Sequence, residues 1–257
     1  MSGAHLFDLS GLRAAVVGGT GVLGAQFCRT LAAYGADVTV VGRDHARGDA
    51  VAREILASGK TATFIAADAT ERSTLQDLAA QLEGAGGLDI LVNAAGVNSA
   101  TPFAEVTDDE WQRLLDVNLH AVFRSCQELA PLLAKSEAGG SIINISSASS
   151  GPPLSRVMSY GVAKAGVNNL TQYLARELSP QHTRVNAIIP GFFPAEQNRA
   201  VLTEERINSI VGHTPMRRLG EPSDLDGALL WLASPAASRF VTGALIPVDG
   251  GFTAMTI

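Results

Sequence analysis

Tyr160 and Lys164 stand four residues apart in a segment of helical pattern. That spacing puts a phenol and an ammonium group on one helix face, where they can converge on one site. A free phenol titrates near ~10 and carries protons poorly at neutral pH. A fixed cation beside it favours the phenolate and draws the pKa toward the range in which general acid–base work is efficient. Alone, the pair also describes a tyrosine packed on the core with a solvated lysine one turn on. Ser147 adds to it. It precedes Tyr160 by thirteen residues and follows the apolar run Ser141 to Ile145. Residues beyond the carboxyl end of a parallel strand line the ligand crevice of such a sheet, although Ser147 also belongs to a serine-rich loop run, 146–150.

A second group of residues suits a phosphate. Gly18-Gly19-Thr20-Gly21-Val22-Leu23-Gly24 follows one strand-like run and opens a helix-like one, with Gly19, Gly21 and Gly24 in a GxGxxG arrangement. Glycine permits a tight turn and close approach of a pyrophosphate to the main chain, and the helix N-terminus offers unpaired N–H groups to the anion. A glycine-rich strand-to-helix turn without a ligand is the alternative, and the flanking strand and helix favour the dinucleotide.

The elements that must position these groups alternate along the chain. Short apolar runs at Arg13–Val17, Asp37–Val41, Thr61–Ala66, Asp89–Asn93, Ser141–Ile145, Arg184–Ile188 and Ala244–Val248 read as strands. Longer amphipathic stretches between them read as helices: Val22–Tyr34, Ala46–Ser58, Ser73–Glu83, one that Thr107 and Glu110 open as a capping box and that carries Trp111 and Leu115, a further run toward Leu133, Tyr160–Leu178, and a long helix from Glu221-Pro222-Ser223 to about Ala233. Repeated βαβ alternation predicts an α/β fold, a doubly wound parallel sheet of about seven strands with helices on both faces. No low-complexity linker divides residues 1–257, so a single domain is expected.

Composition narrows the function classes. Hydrophobic residues make up 46% and charged residues 17% of 257, ample for a buried core. Nineteen basic residues against 25 acidic give a net charge of −6. No basic block offers nucleic acid a surface, and no apolar run approaches a membrane span. Residues 1–10 lack a secretory pattern, and Cys28 and Cys126 make no disulfide framework, so a cytoplasmic setting is expected. The five histidines show no metal-ligand spacing, so no metal is expected.

Taken in order, the glycine loop, Asp68, Asn93-Ala94-Ala95-Gly96, Asp116-Val117-Asn118-Leu119, Asn144-Ile145-Ser146-Ser147, Tyr160 to Lys164, and Pro190-Gly191 span nearly the whole chain, which closes on Val248-Asp249-Gly250-Gly251. The sequence resembles the short-chain dehydrogenase/reductase family in its ordinary branch of about 250 residues. The resemblance implies a single-domain Rossmann fold and NAD(P) as cofactor, contacted by Gly18, Thr20, Gly21, Val22, Leu23, Gly24, Arg43, Asp68, Ala69, Asn93, Ala94, Ala95, Gly96, Tyr160, Lys164, Pro190, Gly191 and Phe193. It implies that Tyr160 exchanges a proton with the substrate oxygen, that Ser147 hydrogen-bonds that oxygen, and that Lys164 lowers the Tyr160 pKa and holds the nicotinamide ribose. Asn118 would retain a water for proton relay, although its residue type alone describes an ordinary helix-surface amide. The family usually has serine at the place of Gly21 and glycine at that of Val22, which leaves the loop's path open. A nicotinamide-contacting threonine of the family falls at Ala195.

Residues 190–215 would form the substrate lid. Their polar stretch resembles family members acting on sugar acids, such as gluconate- and mannonate-type oxidoreductases, and Arg156, Gln197 and Arg199, with Ser147 and Tyr160, are the candidate substrate contacts. A 3-oxoacyl thioester is the alternative substrate. Nucleotide-sugar epimerases share Tyr-x-x-x-Lys, but they usually carry a larger C-terminal domain. A non-catalytic, cofactor-sensing protein would be expected to lack part of the four-residue site. Gly42 stands where NAD-specific relatives carry an acid, and Arg43 follows it. Both favour NADP over NAD, while Asp44 could turn inward and favour NAD. The resemblance also implies a homotetramer.

Overall fold

The computed structural model describes residues 6–194 and 203–255. Strands β1 (Arg13–Val17), β2 (Asp37–Gly42), β3 (Ala62–Ala66), β4 (Ile90–Asn93), β5 (Gly140–Ile145), β6 (Thr183–Pro190) and β7 (Leu245–Val248) form one sheet in the order β3-β2-β1-β4-β5-β6-β7. Every pairing is parallel. Successive side chains of a strand point to opposite faces, and both faces are apolar here. Ala14 and Val16 of β1 join Val38, Val40, Val92 and Ile143 on one face, under Phe27 and Leu31 of α1 (Val22–Ala33), Ile55 of α2 (His45–Ala57) and Leu229 of α8 (Asp226–Ala233). Ala15 and Val17 join Leu91, Ile142 and Val185 on the other, under Leu78 of α3 (Arg72–Gly84), Leu129 of α5 (Ala121–Leu133) and Val167 of α6 (Met158–Leu178). Two-sided burial explains why these strands read as continuous apolar runs rather than alternating ones.

The chain leaves β1 for β2 and β3, then returns across the sheet to β4. This reversal puts the carboxyl ends of β1 and β4 side by side and opens a crevice between the loops that follow them, the usual ligand position in an open parallel sheet.

Strand and helix boundaries predicted from sequence agree within two residues in most elements, with three differences. The capping box at α4 (Asp108–Leu115) is half formed. The Thr107 hydroxyl accepts the Glu110 N–H at 3.2 Å, but the Glu110 carboxylate accepts instead from the Thr101 hydroxyl at 2.9 Å. The helix expected from Glu221 to Ala233 is split into a 3₁₀ turn, Pro222–Leu225, and α8. The Asp226 carboxylate that opens α8 accepts from Gln26 and Thr30 of α1 at 2.9 and 2.8 Å, which fixes where the α-helix starts. Part of the expected lid is α7 (Glu204–His213). Among the described residues, no helix is long and apolar enough to cross a membrane.

Candidate active site

The glycine loop turns over the end of β1 because Gly18, Gly19 and Gly24 leave no room for a side chain. Gly18 has φ +86°, and a Cβ there would stand 2.5 Å from the Ala95 nitrogen. A Cβ on Gly24 would stand 2.1 Å from the Gly18 carbonyl oxygen. Gly21 is different: it is the N-cap of α1, has ordinary extended dihedrals, and its Cβ would meet the Gly18 oxygen at 3.4 Å, ordinary contact. The serine that the family usually carries there would fit, so the departure at Gly21 leaves the loop's path intact. Val22, the first residue of α1, stays exposed. No side chain caps α1, which leaves its first N–H groups free to meet an anion. We expect Gly18→Ala to cost about 3 kcal/mol, from left-handed strain plus overpacking, and Gly21→Ser to cost no more than about 0.5 kcal/mol. Thermal melting of the two variants checks this ordering.

Tyr160 and Lys164 lie on α6, one turn apart, with the ammonium 5.6 Å from the phenol ring centroid. Lys164 is 3% exposed, and its Nζ donates to the Ile145 carbonyl at the end of β5 at 2.8 Å. Burial pulls its pKa from 10.5 down to about 8. Ser147 follows β5 in extended conformation and caps the turn Ala148–Ser150. Its hydroxyl accepts the Ser149 N–H at 3.2 Å and shares a 2.9 Å hydrogen bond with the Ser149 hydroxyl. Burial raises the Tyr160 phenol above its ordinary value, and the hydrogen bond with Ser147 offsets part of that rise. The lowering by Lys164 that the sequence predicts is not met. The ammonium is turned toward the Ile145 carbonyl, and desolvation of the phenol dominates.

Asn118 is not a helix-surface amide. It is fully buried in a π-turn, Asp116–His120, that joins α4 to α5. Its Nδ2 donates to the carbonyls of Leu114 and Val97, both at 2.9 Å, and its Oδ1 accepts the Val97 N–H at 3.2 Å. The amide thus satisfies a carbonyl of its own helix while pinning the segment after β4. A Cβ on Gly96 would stand 3.0 Å from Asn118 Oδ1 and 3.7 Å from Lys164 Nζ. Both polar groups therefore converge beneath Gly96. Extra turns of this kind often occur at functional sites.

The glycine loop, Ser147, Tyr160 and Lys164 line one continuous crevice, and Asn118 lies buried beneath it. A cavity of about 260 Å³ is bounded by Gly21–Gly24, Ala94–Gly96, Ser147, Tyr160, Lys164, Pro190, Gly191 and Phe193. A second, of about 150 Å³, is bounded by Gly18, Thr20, Arg43, Asp68, Ala69 and Val97 among others. The predicted contacts are thus brought together, with exceptions. Asn93 lies beneath the crevice. Its Nδ2 donates to Asn144 Oδ1 at 2.9 Å and lies 3.3 Å from the Cys126 sulfur, and Asn144 in turn donates to Thr171 at 2.9 Å. It ties β4 to β5 and α6 rather than facing a cofactor. Arg156 is exposed, with φ +65°, and lines no cavity described here. Gln197, Arg199 and Ala195 lie outside the described residues.

Two residues that the sequence reading did not single out face the crevice. Arg47, in the first turn of α2, lines the larger cavity beside Gly21 and Val22. Arg206, on α7, lines a further cavity with Ser147 and Tyr160. Asp44 does not turn inward. Its carboxylate caps α2, accepting the Arg47 N–H at 3.0 Å, with Arg47 Nε at 3.3 Å. An aspartate two residues ahead of the helix predicted from Ala46 is an N-cap signal the sequence already carries. Arg43 instead pairs with Asp68 at 3.4 Å. Burial raises the Asp68 carboxyl, but hydrogen bonds from Thr70 and the Arg43 charge outweigh it and hold the group below its ordinary value.

The fold and this crevice define a nucleotide-binding α/β enzyme architecture, and comparison with known proteins gives the class. A family model described as enoyl-(acyl carrier protein) reductase matches residues 20–253. The oxidoreductase UxuB of Bacillus subtilis (strain 168) is 38% identical, over 96% of this chain and 96% of its own. Galactitol 2-dehydrogenase (L-tagatose-forming) of Cereibacter sphaeroides is 36% identical, over 96% and 97%. The crystal structure of a gluconate 5-dehydrogenase from Burkholderia cenocepacia J2315, in complex with NADP and tartrate, superposes with a TM-score of 0.94 at 32% identity, covering 98% of this chain and 99% of that one. The chain belongs to the short-chain dehydrogenase/reductase family and is an oxidoreductase enzyme.

Proposed function

We propose that the protein is an NADP-dependent dehydrogenase/reductase that interconverts a secondary alcohol and a ketone on a sugar acid or related polyol. The observation that carries this reading is the convergence of Ser147, Tyr160 and Lys164 on one crevice beside the glycine loop, with Asn118 buried directly beneath Gly96 of that crevice. The names of the relatives, a galactitol and a gluconate dehydrogenase, support the substrate class. The residues present fit a dinucleotide: Gly18 and Gly24 let the loop turn tightly over the end of β1, Gly21 and Gly24 line the crevice, and α1 presents uncapped N–H groups there. Gly18 to Gly24 would hold the pyrophosphate, Asp68 and Ala69 the adenosine side, and Tyr160, Lys164, Pro190, Gly191 and Phe193 the nicotinamide side. When bound, the nicotinamide supplies the hydride acceptor or donor. In oxidation, Ser147 holds the carbinol oxygen by a hydrogen bond, and the Tyr160 phenolate takes its proton. In reduction, the neutral phenol returns that proton to the carbonyl oxygen. Lys164 holds the ribose, and Asn118 fixes the segment after β4 through Val97, which lines the crevice. Assay of the purified protein with NADP and a panel of six-carbon aldonates and alditols tests this reading.

The cofactor preference rests on Arg43 and Gly42. A Cβ at Gly42 would stand 2.7 Å from the Thr20 side chain, so the acid that would select a ribose hydroxyl cannot enter without moving Thr20. Arg43 is exposed and its pair with Asp68 is long, and surface pairs of this kind contribute at most about 1 kcal/mol. Arg43 can therefore turn to a 2′-phosphate at little cost and gain charge-assisted hydrogen bonds. Arg43→Ala is expected to lower the NADPH:NADH ratio of kcat/KM about tenfold or more. A parent that prefers NADH, or a variant with an unchanged ratio, would sink this preference.

A second reading, a 3-oxoacyl thioester reductase, is favoured by an outer chamber of about 450 Å³ carrying Leu154, Phe192, Ile210 and Phe252, and the description of the matching family model, an enoyl-(acyl carrier protein) reductase, shares its acyl substrate class though not its reacting bond. Turnover of a 3-oxoacyl thioester with NADPH above that of any keto-sugar acid would select it. We further propose a single domain over 1–257 with a lid at 190–215, a homotetramer, and a cytoplasmic setting. Exposed Phe103, Phe123, Val162 and Tyr173 support association, and the two buried free thiols suit a reducing compartment.

A further inference from the structure

Beyond Tyr160 the crevice opens into two connected chambers. The inner one, about 60 Å³, is lined by Asn98, Ser147, Tyr160 and Gly191 on the reacting side. The outer one, about 450 Å³, runs along α7 past Ser209 and His213. Leu154, Phe192 and Arg206 line both, so Arg206 stands at the gate between them. Leu154 and Phe192 are apolar, which makes Arg206 the one ionisable side chain common to the two linings.

The guanidinium is held in place rather than free in solvent. The first turn of α7 is fixed by Thr203, whose hydroxyl accepts the Arg206 N–H at 3.3 Å. From there Arg206 Nη2 donates to the Ser155 carbonyl at 2.9 Å and Nη1 to the Ser155 hydroxyl at 3.5 Å. Ser155 belongs to the loop between Ser147 and Tyr160, so the side chain bridges the lid helix and the reacting loop. No carboxylate among the described residues pairs with it. Its electrostatic surroundings are burial and the like charge of Arg156, and both disfavour its charged form. A fixed, half-buried cation with no counter-charge among the described residues, facing a cavity, is stabilised by an anion that enters the cavity. Planar, forked guanidinium donors suit a carboxylate.

We propose that Arg206 is the specificity-determining anchor for the substrate's carboxylate, with the carboxylate at the gate and the carbinol at Ser147 and Tyr160. The proposal rests on the sugar-acid reading above and assigns its charge recognition to this residue rather than to Arg156 or Arg199. Arg156 contributes at longer range, by a charge that an arriving anion relieves.

The test compares parent, Arg206→Gln and Arg206→Lys with D-gluconate and with D-glucitol, its neutral counterpart, at saturating NADP. In Arg206→Gln, KM for gluconate is expected to rise about 10- to 100-fold. KM for glucitol and kcat for both should stay near the parent's, and Arg206→Lys should recover part of the loss. A residue that only latches α7 to the loop would change both substrates alike, and equal changes overturn the proposal. If the parent turns gluconate over in neither direction, the sugar-acid reading fails. Calorimetric titration of gluconate into the NADP-loaded parent and Arg206→Gln then decides Arg206 by itself. Binding weakened in the variant upholds the anchor; equal binding, or none by the parent, overturns it.

Discussion

Tyr160→Phe is expected to lower kcat by about 10²- to 10⁴-fold, the usual contribution of a positioned acid–base group. Melting temperature and NADP affinity should stay close to the parent's. The ring keeps its place on α6, and what is lost is one oxygen whose hydrogen-bond partner is Ser147. The parent's pH dependence follows from the same group. Burial holds the phenol above its ordinary pKa, so the neutral acid is the resting form at neutral pH. Reduction needs that acid, whereas oxidation needs the phenolate and should accelerate as pH rises. The alkaline rise in kcat/KM for oxidation should vanish in the phenylalanine variant. A variant that keeps near-parent turnover, or that keeps the alkaline rise, would show that Tyr160 is not the acid–base.

Lys164→Met is expected to stabilise the cofactor-free protein while weakening cofactor binding. A buried ammonium whose pKa falls from 10.5 to about 8 carries a penalty of about 3 kcal/mol in its charged form. Methionine removes that penalty and gives back the hydrogen bond to the Ile145 carbonyl, worth about 1 kcal/mol. The net gain expected at pH 7 is about 2 kcal/mol, within the range seen when buried charges give way to apolar side chains. The sign against pH is fixed by linkage. Between pH 8 and 10.5 the unfolded chain binds more protons at this residue than the folded one, so the parent's lysine costs less as pH rises. The advantage of the methionine variant should therefore be full below pH 8 and shrink above it. Denaturant melts at pH 7 and pH 9.5, with NADP titrations alongside, check both halves. A variant less stable than the parent at pH 7, or with unchanged NADP affinity, would contradict the account of a cation held under strain for the ribose.

How far these residues could be read from sequence depended on whether their surroundings are local. The strands were legible because two-sided burial makes each a short apolar run between turns, and the glycine loop because Gly18 and Gly24 have no room for a Cβ. The π-turn at Asp116–His120 was not, since its residues carry the same period as the helices on either side. Only the long-range contact of Asn118 with Val97 reveals it. The segment of Asn93 is legible from sequence, while the direction of its side chain, toward Asn144, is not. The sequence clue is Asn144, its partner in register on β5: amides at paired positions of neighbouring buried strands can hydrogen-bond across the pair, as Asn93 Nδ2 does to Asn144 Oδ1. Proximity to Tyr160 along the chain points to Arg156, whereas the arginine that lines a cavity with Tyr160 is Arg206. Which arginine reaches the crevice is decided by how α7 docks on the Ser155 loop, a packing fact with no local sequence signature.

The central claim, hydride transfer between a nicotinamide and a carbinol held at Ser147 and Tyr160, is tested most directly with a labelled substrate. A sugar acid or polyol that the protein oxidises, deuterated at the reacting carbinol carbon, is turned over with NADP, and the reduced cofactor is analysed by mass and by NMR. The account predicts one deuterium per reduced nicotinamide, at the ring carbon that accepts hydride, and a matching yield of ketone. Reduced cofactor without the label, or ketone formed without reduced cofactor, would contradict it.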